Sequence, residues 1–574
     1  MNRLFFRSLG LALFAALLGA GSASATTYYI AANGSDSNNG TSKSSPWLHA
    51  PGMSGCSGTC GSTNPQPGDS FIFRGGDTWH YGNSGLTPYV GGTSPHWNWN
   101  WGGSSGSCNL NASAGPISKS SCIYIGVDQT WFSGGSWTRP IMTGDNSPST
   151  SYITSCSHDE TGQNFFFINQ PYVIVDDFEW TGWCWASGSG AVTTFLGSYG
   201  EETNSYFHGW TTSSSATDQF RMITCNGTGC SNSSFILIDH NVFDGSDSSL
   251  GTTTQKATGF ALGAGYEIAD NVFWHISNGY IGGAAVAIHD NLMYYLMEPS
   301  DATHGNLFEQ QGYNSCSTYF YNNLQYVTNE GEGNDLYSAP GCPVYVFNNI
   351  SFLYRTGFSG TTPVNGTDGG DCFLPENTGG SGSRTWSIFN NTFDSPCSFS
   401  QKNITLTQNF QNNHLIGYSG GTLSSLANPT IVDNGNELFQ SEAAANGQGY
   451  VTGNNYAPTT GGSTIGAGAN LTTSICNTLT YSPAATACTY GYGGVTYNQV
   501  NHTVLPNAPT ARPSSGAWDV GAYEFSTALL PPPAPSPSFA WSGTVLKHPN
   551  IAVNCICTLW QELSLTCGCS AKLP

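Results

Sequence analysis

The phrase ILIDHNVF at residues 236–243 returns as YEIADNVF at 266–273, VAIHDNLM at 286–293, TYFYNNLQ at 318–325, VYVFNNIS at 344–351 and WSIFNNTF at 386–393. VIVDDFEW at 173–180 opens the series, TNSYFHGW at 203–210 is a weaker member, and NFQNNHLI at 409–416 closes it. Each copy alternates apolar residues, reaches Asn or Asp, and resumes with apolar residues. Taking Asp177, Asn204, Asn241, Asn271, Asn291, Asn323, Asn349, Asn391 and Asn413 as equivalent gives intervals of 27, 37, 30, 20, 32, 26, 42 and 22 residues. Period-2 alternation marks strands. One short strand cannot bury its apolar face alone, but coils of about 30 residues stacked about 4.8 Å apart can. The pattern therefore predicts an all-β parallel β-solenoid over Val173 to Leu415. The Asn is expected at a turn, where it tolerates left-handed backbone angles and where stacked amides bond from coil to coil. Uneven intervals then mean loops of different lengths leaving the coils. A β-propeller is the main rival, but its blades run about 40 residues or more with four strands each.

The 574 residues carry 35 Asp+Glu against 14 Lys+Arg, a net charge of −21. So few cations cannot build a basic face for phosphates, which argues against a nucleic-acid partner. With 38% hydrophobic and 13% aromatic residues, most of the chain can bury a core rather than remain disordered. Arg3 and Arg7 precede the apolar run Leu9 to Ala20, and Ala23-Ser24-Ala25 supplies a cleavage site, so residues 1–25 read as a signal peptide. A run of about 12 residues is shorter than the roughly 20 a membrane span needs, so no transmembrane anchor is expected. The mature protein is expected outside the cell or in the periplasm, as a monomer.

All 18 cysteines follow the leader, and an even number in an oxidising compartment reads as disulfides. Close pairs are Cys56 with Cys60, Cys108 with Cys122, Cys225 with Cys230, and Cys476 with Cys488. Cys316 with Cys342 and Cys372 with Cys397 are separated by about one coil and are expected to clamp neighbouring coils. Residues 527–539 form a Pro-rich linker, LPPPAPSPS at its heart. The tail, 540–574, carries Cys-Ile-Cys from Cys555 and Cys-Gly-Cys from Cys567. Disulfides are favoured over zinc there because Cys-x-x-Cys spacing is absent, and a disordered tail is admitted.

YYIAANGSDSNNGTSKSSPW from Tyr28, PQPGDSFIFRGGDTW from Pro65, the Asn-bearing coils, and AWDVGAYEF from Ala517 together resemble secreted right-handed parallel β-helix proteins of the pectate-lyase-like superfamily. The resemblance covers residues 26–526 with an N-terminal cap. It implies a right-handed parallel β-helix with a long groove walled by loops, and a polysaccharide as the usual ligand. The superfamily includes lyases, glycoside hydrolases, esterases and non-catalytic surface proteins, so the fold does not settle the reaction. The opening is similar to that of calcium-dependent pectate lyases, whereas their dense run of Asp followed by Lys is not found. That departure, with the acidic charge, favours hydrolysis of a neutral glycan over β-elimination; Ca²⁺-assisted elimination and non-catalytic glycan binding are the alternatives.

Hydrolysis needs two carboxyl groups flanking the glycosidic bond. Glu330, Glu332 and Asp335 in NEGEGNDLY, with His304 and Glu309 in DATHGNLFEQQG, are the candidate catalytic groups, because one charge-poor body gathers them on two adjacent coils. Trp180, Phe207, Trp274, Tyr294 and Tyr326 follow equivalent positions by three residues and are expected to form a column; Trp180, Trp274, Tyr294 and Tyr326 are the candidate sugar-stacking residues. Asp239, Asp244 and Asp247 are candidate Ca²⁺ ligands, and hydrolysis itself requires no cofactor. His208 and His275 share an offset of four beyond Asn204 and Asn271, a placement more usual for structural histidines.

Overall fold

The computed structural model describes residues 25–111, 117–149, 153–187, 190–212, 220–225, 235–246, 258–261, 266–276, 285–296, 308–309, 317–328, 332–336, 341–352, 358–359, 362–363, 371–373, 383–394, 406–418, 430–525, 552–560 and 564–572. The signal-peptide residues before Ala25, and His304, Glu330 and Asp247, lie outside these. No described helix is long and apolar enough to cross a membrane. Contacts divide the chain into Met1–Phe525 and Ser526–Pro574.

The first unit is a parallel β-helix. One sheet has 13 strands, from Thr27–Ile30 to Ile431–Asp433, and a second has 12, from Thr78–His80 to Leu438–Gln440. Every neighbouring pair within them is parallel, as the registers Val173↔Ile123, Ile238↔Ile268 and Phe347↔Phe389 illustrate. A third face carries a 5-stranded sheet ending at Thr258–Ala261 and a 3-stranded sheet of Phe308–Glu309, Glu332–Asp335 and Asp371–Phe373. Crossovers returning to the same parallel sheet take the right-handed sense. The coils thus extend beyond the expected Val173–Leu415 span at both ends.

Two residues turn the chain from the first sheet to the second. In successive coils the first of them is left-handed: Asp177, Asn204, His240, Asp270, Asp290, Asn322, Asn348, Asn390 and Asn412, with φ between 53° and 64°. Asn, Asp and His are the residue types that accept that region most readily after glycine. The second points inward: Phe178, Ser205, Asn241, Asn271, Asn291, Asn323, Asn349, Asn391 and Asn413. This corrects the expected alignment in two ways. The repeated Asn is not the left-handed residue but its successor, and Asp177 and Asn204 belong one position earlier than the other equivalents.

The inward Asn residues from Asn241 to Asn413 are completely buried and form a continuous amide column. Asn323 is representative: its Nδ2 donates to Ile288 O at 3.0 Å and to Asn349 Oδ1 at 3.1 Å, while its Oδ1 accepts from Asn291 N and Nδ2 at 3.2 and 3.0 Å. Such a side chain therefore satisfies one backbone N–H and one backbone carbonyl and bonds to the amides of the coils before and after it. The column starts at Ser205, whose N–H donates to Asn241 Oδ1, and ends at Glu437, which accepts from Asn413 N and Nδ2.

Alternation sends the next columns into the core. Val175, Glu202, Ile238, Ile268, Ile288, Phe320, Val346, Ile388 and Phe410 are successive partners in the first sheet and have no exposed surface. In the second sheet Trp180, Phe207, Phe243 and Phe273 stack inward at centroid spacings of 6.1, 4.9 and 5.2 Å. Glu202 is the exception in an apolar column. Burial pushes its carboxyl up to about 8, against the hydrogen bond from Ser205 Oγ.

The pairs Cys56–Cys60, Cys108–Cys122 and Cys476–Cys488 are disulfides as expected, and Cys156–Cys184 is one that the spacing did not suggest. Cys225 and Cys342 are also disulfide-bonded, and their expected partners Cys230 and Cys316 lie outside the described residues, as does Cys397. The second unit contains an antiparallel hairpin of Ala552–Trp560 and Ser564–Lys572.

Asn323→Ala strands donors of Asn291 and a carbonyl of Ile288 in the core; the expected loss is about 3 kcal/mol or more, read as a lower urea midpoint. A second expectation concerns Glu202. Its folded value of about 8 exceeds its ordinary 4.5, so the folded state holds the proton that the unfolded chain releases, and stability falls as pH rises between those values. Glu202→Gln should flatten that part of the curve of urea midpoint against pH.

Candidate functional site

The three-stranded sheet on the third face gathers the carboxylates that the sequence singles out. Glu309 pairs directly with Asp335, and Glu332 with Asp371. The facing of these positions follows from Asn334, which is completely buried. Its amide exchanges hydrogen bonds with Gln325 in both directions, at 2.7 and 3.0 Å, and Ser351 Oγ donates to Gln325 Oε1 at 2.7 Å. Because strand residues alternate, Asp335 takes the position on the face opposite Asn334, and its partner Glu309 shares that face. Glu332, two residues before Asn334, takes a position on the Asn334 side with Asp371. Glu309 and Asp335 therefore share a face on neighbouring strands while Glu332 takes the opposite one, and His304 and Glu330 fall outside the described residues.

The aromatic column exists in part. Trp274, Tyr294, Tyr326 and Phe352 stack along the outer side of the second sheet at 4.2, 4.6 and 5.0 Å. Trp180 and Phe207 do not join it: the one-residue offset at their corners places both in the inward column, completely buried. Tyr497, from the hairpin strand Val495–Asn498, packs against Trp274 at 5.4 Å. The ring faces are thus largely occupied by one another and by that hairpin, and Trp274, Tyr294 and Tyr326 remain half-buried.

Asp239 and Asp244 lie on opposite sides of one corner, in the first and second sheets. Asp239 holds His240 Nδ1 at 2.9 Å, while Asp244 accepts from Tyr497 OH at 2.7 Å and Ser246 N at 2.8 Å. They serve different partners, and among the described residues no group of three or more His, Cys, Asp or Glu is placed to hold a metal ion. His208 pairs with Glu179 at 3.1 Å and stacks on Tyr206. His275 is itself a left-handed residue, φ 51°, so the offset it seemed to share with His208 disappears once the corners are aligned.

A polar band on the outer side of the first sheet was not anticipated. Lys119 Nζ meets Glu201 Oε1 at 2.7 Å, Tyr124 OH donates to Asp176 Oδ2 at 2.6 Å, and Asn204 Nδ2 donates to Asp176 Oδ1 at 2.8 Å. Arg139 Nε lies 2.8 Å from Asp177 Oδ1. Burial, then the charge of Asp239, pushes the Glu201 carboxyl up to about 8; burial, then Asp290, pushes Asp270 up to about 7. His289 sits between Glu267 at 3.0 Å and Asp290 at 2.8 Å. Burial disfavours its charge, but the hydrogen bonds and charges of both carboxylates prevail and raise it to about 10. Beside this band a cavity of about 350 Å³ is lined by Tyr124, Gln129, Arg139, Asp176, Asp177 and His240 among others. Most of these polar groups are already paired to one another, which makes the band a structural ion network first. The signal that could have found it is the acid or histidine that ends the first-sheet strand, or opens the corner, in successive coils.

No protein-family model matches the chain, and no curated protein matches it. Among solved structures, pectate lyase Pel9A aligns at 14% identity over 88% of this chain and 98% of its own, with a TM-score of 0.38. The GH136 lacto-N-biosidase from Eubacterium ramulus aligns at 11% identity over 72% and 68%, with a TM-score of 0.35. A rhamnogalacturonan lyase aligns at 12% identity over 68% and 74%, with a TM-score of 0.23. The parallel β-helix itself rests on the strand register of this chain.

The His289 network yields a pH expectation. With a folded value of about 10 against an ordinary 6.5, its stabilisation is complete below about 6.5 and is lost as pH rises through about 10. His289→Gln, leaving two carboxylates without their cation, should cost about 3 kcal/mol near neutral pH. It should also remove the decline in urea midpoint across that alkaline window.

Proposed function

We propose that this chain is an exported enzyme that hydrolyses an extended glycan, with Glu309 and Asp335 as its carboxyl pair. The observation that supports this reading is their direct pairing on neighbouring parallel strands. Strand spacing in a sheet is about 4.8 Å, on the scale of the roughly 5 to 5.5 Å that separates the carboxyls of retaining glycosidases and short of the roughly 6.5 to 9.5 Å of inverting ones. Two carboxyls that close cannot both ionise freely, so the first to lose its proton holds the other in its acid form. The acid form protonates the glycosidic oxygen as the bond breaks. The ionised one attacks the anomeric carbon and forms a glycosyl ester, which water hydrolyses with the first residue now acting as base. This chemistry needs no cofactor.

Other features fit around that pair. A ligand lying along the helix axis crosses successive coils, so a polymer is the natural substrate. Glu330 and His304, close in sequence to Asp335 and Glu309, belong to the same proposal as further polar groups. The disulfides are those of a chain that matures in an oxidising compartment, in keeping with the leader sequence.

The test is product formation on a panel of plant and microbial polysaccharides. Glu309→Gln and Asp335→Asn are each expected to lower turnover by at least about 10²-fold, the scale of losing a general acid or base, with new reducing ends and no ultraviolet-absorbing unsaturated ends in the wild type. Unsaturated ends would establish elimination instead, and unchanged activity in both variants would reject this location.

A further inference from the structure

We propose that the C-terminal unit is closed by a ladder of two cross-strand disulfides, Cys555–Cys569 and Cys557–Cys567. The strands Ala552–Trp560 and Ser564–Lys572 pair antiparallel, and their register sets Cys555 opposite Cys569 and Cys557 opposite Cys567. Period-2 alternation gives one face the positions Val553, Cys555, Cys557 and Leu559, whose partners are Ala571, Cys569, Cys567 and Leu565. The other face takes Ala552, Asn554, Ile556, Thr558 and Trp560, with their partners Lys572, Ser570, Gly568, Thr566 and Ser564. The alternation in the sequence and the pairing register are separate observations, and they agree: all four cysteines fall on one face, each directly across from another.

Distance selects among the three connectivities that four cysteines allow. Directly opposite positions have Cα atoms about 4.5 to 5.5 Å apart, inside the roughly 4.4 to 6.8 Å that a disulfide spans. Diagonal positions are about 7 to 8 Å apart, and residues two apart along one strand are separated by nearly 7 Å, both at or beyond the limit. Only the ladder closes both bonds without moving the backbone.

There is also a reason for such a ladder. An isolated two-stranded ribbon is at best marginally stable in water, and this one belongs to a unit of its own, Ser526–Pro574, behind a Pro-rich segment. Cross-links take the place of a core that so short a unit cannot build. Each bond forms by thiol–disulfide exchange: two thiols give up two protons and two electrons, and an external disulfide oxidant is reduced to two thiols. Four thiolates around a zinc ion are the competing chemistry, disfavoured by the oxidised state of the cysteine pairs in the first unit.

The experiment uses the full-length protein exported to an oxidising compartment, denatured without reductant, alkylated with iodoacetamide and weighed intact. The wild type and the double variant Cys557→Ser with Cys567→Ser should take up no label, because the second still closes Cys555–Cys569. The double variant Cys555→Ser with Cys567→Ser should take up two labels. Two labels in both double variants would establish bonds within each strand, and two in the former with none in the latter would establish diagonal ones; either overturns the ladder. Four labelled thiols in the wild type, released together with zinc, would overturn it in favour of a metal site.

Discussion

The structure depends on one requirement: the amide buried at the corner of each coil from Asn241 to Asn413 must find its partners in the coils above and below. Asn323 cannot be satisfied within its own turn, since its carbonyl oxygen serves Asn291 and its amino group needs Asn349 and Ile288. Leaving any one of those groups unpaired in a dry interior costs more than a typical hydrogen bond contributes. The column therefore fixes the height and rotation of each coil relative to the next. Once the corner is fixed, the alternation of the flanking strands decides which residues enter the core, and the stacked Phe and Ile columns follow.

The same requirement divides the molecule into a constant and a variable part. Two residues join the first and second sheets in every coil of the column, and there is no room there for an insertion. Length differences between repeats have to be taken up elsewhere, on the way to and from the third face, where Glu309, Glu332 and Asp335 lie. A groove built there can change its walls without disturbing the column. The first sheet shows the complementary behaviour: its outward carboxylates and histidines are locked into pairs such as Lys119 with Glu201 and His289 with Glu267 and Asp290.

The repeat was legible because its carrier is a single residue type, Asn, at the same buried corner of seven successive coils. Where the corner holds Phe178 or Ser205 instead, the nearest Asp177 or Asn204 stands one position earlier, and an alignment on it slips by one. A slip of one in a strand exchanges inside for outside, which is why Trp180 was placed with Trp274 although it lies in the core. The polar band of the first sheet escaped notice because its members, Asp176, Glu201, Asp239 and His289, are far apart in sequence and become neighbours only through stacking. Carboxylates clustered within one short segment, such as Glu332 and Asp335, were visible; the pairing of Asp335 with Glu309 required the register. Charge gathered in a charge-poor chain is thus not a reliable pointer to catalysis by itself, since the ion network gathers it as well.

Glu437 at the end of the amide column has a meaning of its own. A solenoid rung exposes the same template that it has just used, and an Asn in the last position would still present an amino group seeking another copy. A carboxyl group there accepts from Asn413 N and Nδ2 and carries no amino group to offer onward. In the same coil the last first-sheet strand, Ile431–Asp433, ends in Asp433, an acidic residue on the last strand of the sheet, a device that discourages edge-to-edge pairing. The amide column thus ends on a side chain of a different kind, and the last rung is chemically unlike every rung before it.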